Sequence, residues 1–393
     1  MNPLISLAVF SYRNTHYLYD CLDSVLEQTY DNIELIISND CSDCFDIEAV
    51  RCYVEKNAKS NIKNVIINKN ERNLGTVKHH NVVLDFCNGD YFTSISADDV
   101  YDNEQAVATM VEGFNFVPAD TMCIVFKTEI WNEELNTLLK VYPTKQECDL
   151  INKLTPYELY CYYLVLRALP VSLIYKMGVF DKYGRYDEDY FIVEDWTSQI
   201  SFAKQGMRYS CIDSVVLNRR EGGVSSALPS PESFSQMMYI KDLIKLFENI
   251  LKSSDEFNED VKRGVNVHYI SFSQIYNKVW GGKTFYLKPD LKMPPVIVFG
   301  AGEYAANLKY KINNIDIKYH IDNDPKKWGT QVNGKLVKPP AEVLNEENNN
   351  FIVLIMVLRN YSEIKAQLIK TGCCCAEQIY DYAEFCDEFF IFE

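Results

Sequence analysis

Two adjacent carboxylates, Asp98 and Asp99, close the run YFTSISADDV. Side chains of this type can hold a hard divalent cation, exchange protons, or simply close a turn, since aspartate favours turns and caps. A second acid, Asp40, ends the run ELIISNDCSD. There it could accept hydrogen bonds from a base or a ribose. A third cluster, Glu194 and Asp195, stands before a helical pattern in YFIVEDWTSQISFAKQG. Carboxylates at a helix start suit the dipole in any case, so the cluster reads equally as a solvated acidic loop. Two cations, Arg219 and Arg220 in LNRREGGVS (Leu217–Ser225), could pair with phosphate oxygens or lie on a surface turn.

These residues need elements to carry them. Continuous apolar runs at Leu4–Phe10, Ile33–Ile37, Val65–Ile67 and Tyr91–Ile95 have strand length and no polar alternation, so they predict strands buried on both faces. Helical spacing lies between them, over Tyr17–Gln28, Asp46–Lys56 and Thr76–Phe86. The alternation predicts a parallel sheet covered by helices, which binds ligands at the carboxyl ends of its strands. Asp40 and Asp98 then share one edge. From Tyr101 to Asn218 the pattern is mixed, with a strand at Cys123–Phe126 and helices near Pro156–Leu166 and Trp196–Gln205. Two amphipathic helices follow, predicted to pack against a neighbouring domain.

The chain is long enough for two or three domains, with 393 residues of which 47% are apolar. Its formal charge of -16 argues against nucleic acid and against purely electrostatic adhesion to anionic lipid. Thirteen cysteines without framework spacing, and an opening MNPLISLAVFSY that lacks a basic n-region, predict a reducing cytoplasm. Leu159–Tyr175, interrupted by Arg167 and Pro170, is too short to span a bilayer. Peripheral contact with the inner membrane face stays open, as does a homo-oligomer. CSDC, at Cys41–Cys44, lacks the second pair of a zinc site, and its cysteines read as incidental. His79 and His80 point to different helix faces, which disfavours a shared metal.

The succession VFSYRNTHYLYDCLDSVLEQTYDNIELIISNDCSD, then NLGTVKHHNVVLDFCNGDYFTSISADD, resembles the inverting family-2 glycosyltransferases with the GT-A fold. The resemblance is close over the first hundred residues and looser to about Ser225. It implies that the first strand ends in a donor-binding turn at Phe10, Ser11, Tyr12 and Arg13, where Phe10 replaces a proline. It implies that Asp40 binds the base, and that Asn73, Gly75, His80 and Asn81 form the next donor segment, His80 standing for an arginine. The family's Asp-x-Asp motif falls on Ser96, Ala97 and Asp98, which leaves Asp98 as ligand to Mn²⁺ or Mg²⁺. Asp195 is implied as general base with Glu194 as alternative, and Arg220 or Arg219 as a diphosphate contact. The implied reaction moves a sugar, most simply from a UDP-linked donor, to a hydroxyl of a surface glycan with inversion. A glycoside hydrolase would use paired carboxylates but leaves Asp40 unexplained. A non-catalytic nucleotide-sugar or dinucleotide sensor or scaffold is the alternative from another class.

After a Gly/Pro-rich stretch read as a linker, 281–295, a second alternation begins. VIVFGAGEYAANLKYKI carries Gly300, Gly302 and Ala305 after a strand, and Asp322 follows at the spacing of a dinucleotide fingerprint. This part resembles the small Rossmann-like modules appended to polysaccharide-biosynthesis enzymes and has no hydride-transfer partner. The expected architecture is therefore α/β: a GT-A-type nucleotide-sugar-binding domain at 1–228 (nucleotide half 1–100, acceptor half 101–228), a helical segment at 229–280, and a smaller Rossmann-like α/β domain at 296–393.

Overall fold

The computed structural model describes residues 2–392 except 14, 167–171, 225–227, 254–255, 284, 290, 309–311, 313–314 and 347–349. Arg167, Pro170 and Ser225 thus lie outside the described residues. The chain forms two compact units, residues 1–163 with 167–228, and residues 164–166 with 229–393.

In the first unit β1 (Ile5–Ser11), β2 (Ile33–Asn39), β3 (Ile62–Lys69) and β4 (Tyr91–Ser96) alternate with α1 (Leu18–Leu26), α2 (Ile47–Asn57) and α3 (Thr76–Leu84). The four strands pair in parallel in the order β3-β2-β1-β4. Burial bears out the expectation for β1 and β2, buried at all positions but Phe10, and β4 is buried in part, whereas β3, at the sheet edge, is not buried at any position. Helix α2 begins where Asp46 accepts from the amides of Glu48 and Ala49, which satisfies two otherwise orphan donors. Leu18, Cys21, Leu22, Val25 and Leu26 of α1 join Leu7, Val9, Leu35 and Ile37 in one core.

The same sheet continues through β5 (Val100–Tyr101), β6 (Cys123–Trp131), β7 (Leu138–Tyr142), β8 (Leu173–Lys176) and β9 (Tyr209–Arg220). Strand β8 lies antiparallel between β4 and β6, β9 runs parallel to β6, and the order ends β8-β6-β9-β5 with β7 against β6. The helices here are α4 (Ala106–Glu112), α5 (Lys145–Ile151), α6 (Pro156–Val165), α7 (Gly178–Tyr183) and α8 (Glu194–Lys204). Strand β6 extends five residues past the predicted Phe126 because Thr128–Trp131 gain a second partner in β7. Cys148 on α5 and Cys211 on β9 are joined by a disulfide, against the expectation of a wholly reduced set.

The second unit opens with α9 (Phe234–Lys252) and α10 (Glu259–Val279), which pack on each other. The stretch read as linker contains β10 (Phe285–Leu287), paired antiparallel with the chain's final strand Phe390–Phe392, so it is in part structured. A six-stranded sheet follows, with Val296–Phe299 at its centre between Ile317–Ile321 and Ile352–Ile355, all parallel. One sheet face packs Val298, Leu308, Leu354 and Phe385 together with Val267 of α10, and the other packs Ile297, Phe299, Val353 and Leu368. Helix α10 therefore shares a core with this sheet instead of standing apart as a separate segment. The α/β expectation holds, with a mixed sheet first and a smaller, mainly parallel sheet after it. No described helix is long and apolar enough to cross a membrane.

Candidate active site

The parallel register brings Ser11, Asn39 and Ser96 to one sheet edge, Ser11 opposite Asn39 and Phe10 opposite Ser96. The loops that follow β1, β2 and β4 carry the predicted residues. Tyr12 accepts a hydrogen bond at its hydroxyl from Asn73 Nδ2 at 2.6 Å, and Arg13 lies 5.0 Å from the Tyr12 ring centroid. The amide of Arg13 donates to Ser42 Oγ at 2.6 Å, while Asn39 Nδ2 donates to Ser11 Oγ at 3.1 Å. Cys41 and Cys44 donate to the carbonyls of Glu71 and Arg13. Those thiols tie loops at the same edge, so they are part of its wall.

Asp40 is buried and acts on the next segment. Its carboxylate accepts from the amides of Leu74 (2.9 Å) and Gly75 (3.0 Å) and from Asn70 Nδ2 (2.9 Å). Gly75 has φ of +79°, and a Cβ there would sit 2.6 Å from the Phe191 carbonyl oxygen. Only glycine fits that approach without strain. Asp40 and Gly75 thus shape the loop at 73–75, the first by hydrogen bonds and the second by close contact.

The two departures from the resembled family meet each other. Phe10 and His80 stack with ring centroids 3.9 Å apart and planes at 20°. His80 Nδ1 donates to the Thr76 carbonyl at 2.8 Å, which fixes the proton on that nitrogen. Burial lowers His80 to about 3, so it is neutral and brings no charge in place of an arginine. His79 bonds Ser38 Oγ at 2.6 Å and is likewise lowered by burial, to about 4. The histidines therefore have separate partners and do not form a metal pair. Asn81 is also buried, its amide engaging the backbone of Tyr186 and the Glu188 carboxylate.

At the end of β4, Ala97 is buried, its amide bonded to the Phe10 carbonyl, and Asp98 is half-buried. Asp99 lies beneath, 3% exposed, and accepts from the Arg220 amide at 3.0 Å. Burial first, and the neighbouring Asp98 charge second, push the Asp99 carboxyl up to about 8. Arg220 does not point to open space. It is 7% exposed, and its guanidinium donates to the carbonyls of Asp98 (2.5 Å) and Glu133 (3.0 Å) and to Asp20 Oδ2 (3.0 Å). The predicted diphosphate contact is thus engaged within the protein. The Arg219 charge, by contrast, acts on both Asp99 and Asp195 and favours their ionised forms.

Glu194 and Asp195 open α8 as predicted. With Ser198 they line a cavity of about 30 Å³ shared with His80, Ser94 and Tyr186. Burial raises Asp195, while the Trp196 amide, donating at 2.6 Å, and the Arg219 charge oppose it. A carboxylate raised by burial is a stronger base once ionised. The Arg219 charge thus bears on both Asp99 and Asp195, while Asp40, Asn81 and Arg220 are hydrogen-bonded to the surrounding loops. Sequence reasoning missed Asp20, Glu133 and Tyr17, which surround Arg220, because no spacing links residues so far apart.

Among the described residues no group of three or more His, Cys, Asp or Glu side chains could hold a metal ion alone. The fit for a cation is a one-carboxylate site at Asp98, since Asp99 is buried against an amide. Such a site suits Mg²⁺ or Mn²⁺ when ligand phosphates complete the shell. In the second unit Gly300 has φ of +117°, and Asp322 accepts from the Ala301 amide (2.9 Å) and Lys327 Nζ (3.0 Å). The expected ribose-binding carboxylate is thus paired within its own module.

Residues 6–178 match the family described as Glycosyl transferase family 2, and residues 292–377 match C2185-like, N-terminal. An uncharacterized glycosyltransferase of Haemophilus influenzae is 33% identical over 98 residues, 25% of this chain and 29% of that protein. An uncharacterized glycosyltransferase of Rickettsia prowazekii is 26% identical over 193 residues, 48% of this chain and 57% of that protein. The chain thus spans well under two thirds of these relatives. The crystal structure of S. aureus TarS 1-349 in complex with UDP-GlcNAc overlaps 71% of this chain and 74% of its own, with 18% identity and a TM-score of 0.47. The family match thus covers residues 6–178, and the relatives named as glycosyltransferases are similar over parts of their length.

Proposed function

We propose that the protein transfers a sugar from a nucleotide-diphosphate donor, UDP-linked, to a hydroxyl of a glycan acceptor by direct displacement with inversion. The observation that carries this reading is that Glu194 and Asp195, at the start of α8, line one cavity with Ser94 of β4, the strand that leads into Asp98, and that the Arg219 charge bears on both Asp99 and Asp195. Donor phosphates and an acceptor hydroxyl need that proximity, a cationic group for the leaving diphosphate and a base for the attacking oxygen.

In this reading Asp195 takes the proton of the acceptor hydroxyl as its oxygen attacks the anomeric carbon and the nucleoside diphosphate departs from the opposite face. Burial, which raises Asp195, makes it able to hold that proton. Arg219 stabilises charge on the departing phosphates. Tyr12 and Asn73, linked at 2.6 Å, and the loop held by Asp40 would frame the nucleoside. Asp98 would hold the divalent cation, which supplies charge neutralisation at the diphosphate when bound. The acceptor is a surface polysaccharide, and the second unit serves assembly more than hydride transfer.

Nucleotide release from a panel of UDP-, GDP-, CDP- and dTDP-sugars, with Mn²⁺ and a mixed glycan acceptor pool, tests this. One donor class should turn over, and Asp195→Asn should slow release by about 10²- to 10⁴-fold while UDP binding is retained. Undiminished release in that variant would remove Asp195 from the role. Donor binding without any product would favour the sensor.

A further inference from the structure

Arg220 sits where four distant segments of the first unit meet. Its guanidinium donates through Nη1 to the Asp98 carbonyl (2.5 Å), through Nε to the Glu133 carbonyl (3.0 Å) and through Nη2 to Asp20 Oδ2 (3.0 Å). Its backbone amide donates to Asp99 Oδ1 at 3.0 Å. The guanidinium carbon lies 4.1 Å from the Tyr17 ring centroid, and Tyr17 OH donates to Glu133 Oε1 at 2.9 Å. The segments joined are the start of α1, the turn after β4, the β6–β7 connection and the end of β9.

We infer that Arg220 is a positioning residue: it fixes the Asp98–Asp99 turn in the orientation that lets Asp98 meet a cation bound to a nucleoside diphosphate, and makes no phosphate contact itself. The inference rests on the proposed transferase reading and adds to it a residue acting through another. The physical argument is geometric. Asp98 is a lone carboxylate in a motif whose other acidic position is Ser96, so its direction is not shared with a second side-chain ligand. A turn is the least constrained part of a strand end. A planar guanidinium with donors in a fixed fork can hold two carbonyls and a carboxylate at once, which a lysine ammonium on a flexible stem does not reproduce. Loss of the fork would also leave the two carbonyls at this 7% exposed side chain without their donor, a cost concentrated on the turn. Asp20, 57% exposed, is the outer end of the device and the part that can be removed with least damage to the core.

The test compares the full chain with Arg220→Lys and Asp20→Ala in two measurements. In the ligand-free protein, hydrogen exchange at the amides of 97–100 should rise at least tenfold in Arg220→Lys, and by a smaller factor in Asp20→Ala, while β1 amides keep their wild-type rates. In UDP titrations, the gain in affinity conferred by Mn²⁺ should fall at least fivefold in Arg220→Lys, with metal-free UDP affinity within twofold of wild type. Wild-type exchange at the turn in both variants would overturn the positioning role. Equal loss of UDP affinity with and without Mn²⁺ would overturn it in favour of direct phosphate contact. A wild-type chain that binds no nucleoside diphosphate would instead overturn the transferase reading, and the exchange measurement would still decide what Arg220 holds.

Discussion

His79 and His80 illustrate how far a residue's role departs from its type. Histidines beside a candidate donor site invite a metal or a proton-transfer role, yet both are buried and neutral, one bonded to Ser38 and the other stacked on Phe10. Their consequence is acid sensitivity. Because burial lowers both below the unfolded value of 6.5, to about 4 and about 3, the unfolded chain binds more protons than the folded one across that interval. Their stability contribution is complete above pH 6.5 and is lost as pH falls toward 4. At pH 5 each costs about 2 kcal/mol. The melting temperature should therefore drop between pH 7 and pH 5, and His80→Phe, which keeps an aromatic partner for Phe10, should lessen the drop. An equal drop in that variant would remove His80 from the account.

At the scale of elements, the loop between β3 and α3, proposed to frame the donor, depends on Gly75. A side chain there meets the Phe191 carbonyl and ring at 2.6 to 2.7 Å, and its φ of +79° disfavours any L residue. Gly75→Ala should cost about 1–3 kcal/mol and lower the melting temperature by several degrees, with weaker UDP binding as the loop shifts. An unchanged melting temperature would mean that the loop yields freely. Strand and helix positions in the first hundred residues were legible because β1 and β2 are buried apolar runs and α1 carries a clean helical stripe. The position of Asp40 was legible too. Its four hydrogen bonds to residues 70–75 were not, because they depend on how one loop folds over another. That Arg220 is engaged within the protein was hidden for a similar reason: adjacent strand residues point to opposite faces, and spacing alone does not say which one turns inward. Likewise β10 escaped notice because its partner is the last strand of the chain.

On the scale of the molecule, both units place a carboxylate at a strand end, Asp98 after β4 in the first and Asp322 in the second, and the proposed transferase centre belongs to the first. In the second, Asp322 accepts from the Ala301 amide and is paired with Lys327. A thermal-shift panel of UDP, GDP, CDP, dTDP and NAD, each with and without Mn²⁺, separates the units in one experiment, because a ligand that binds only the folded state raises its melting temperature. The account predicts a Mn²⁺-dependent rise with UDP, abolished in Asp98→Asn, and no rise with NAD. A rise with NAD alone would contradict it, moving the ligand-binding centre to Gly300 and Asp322.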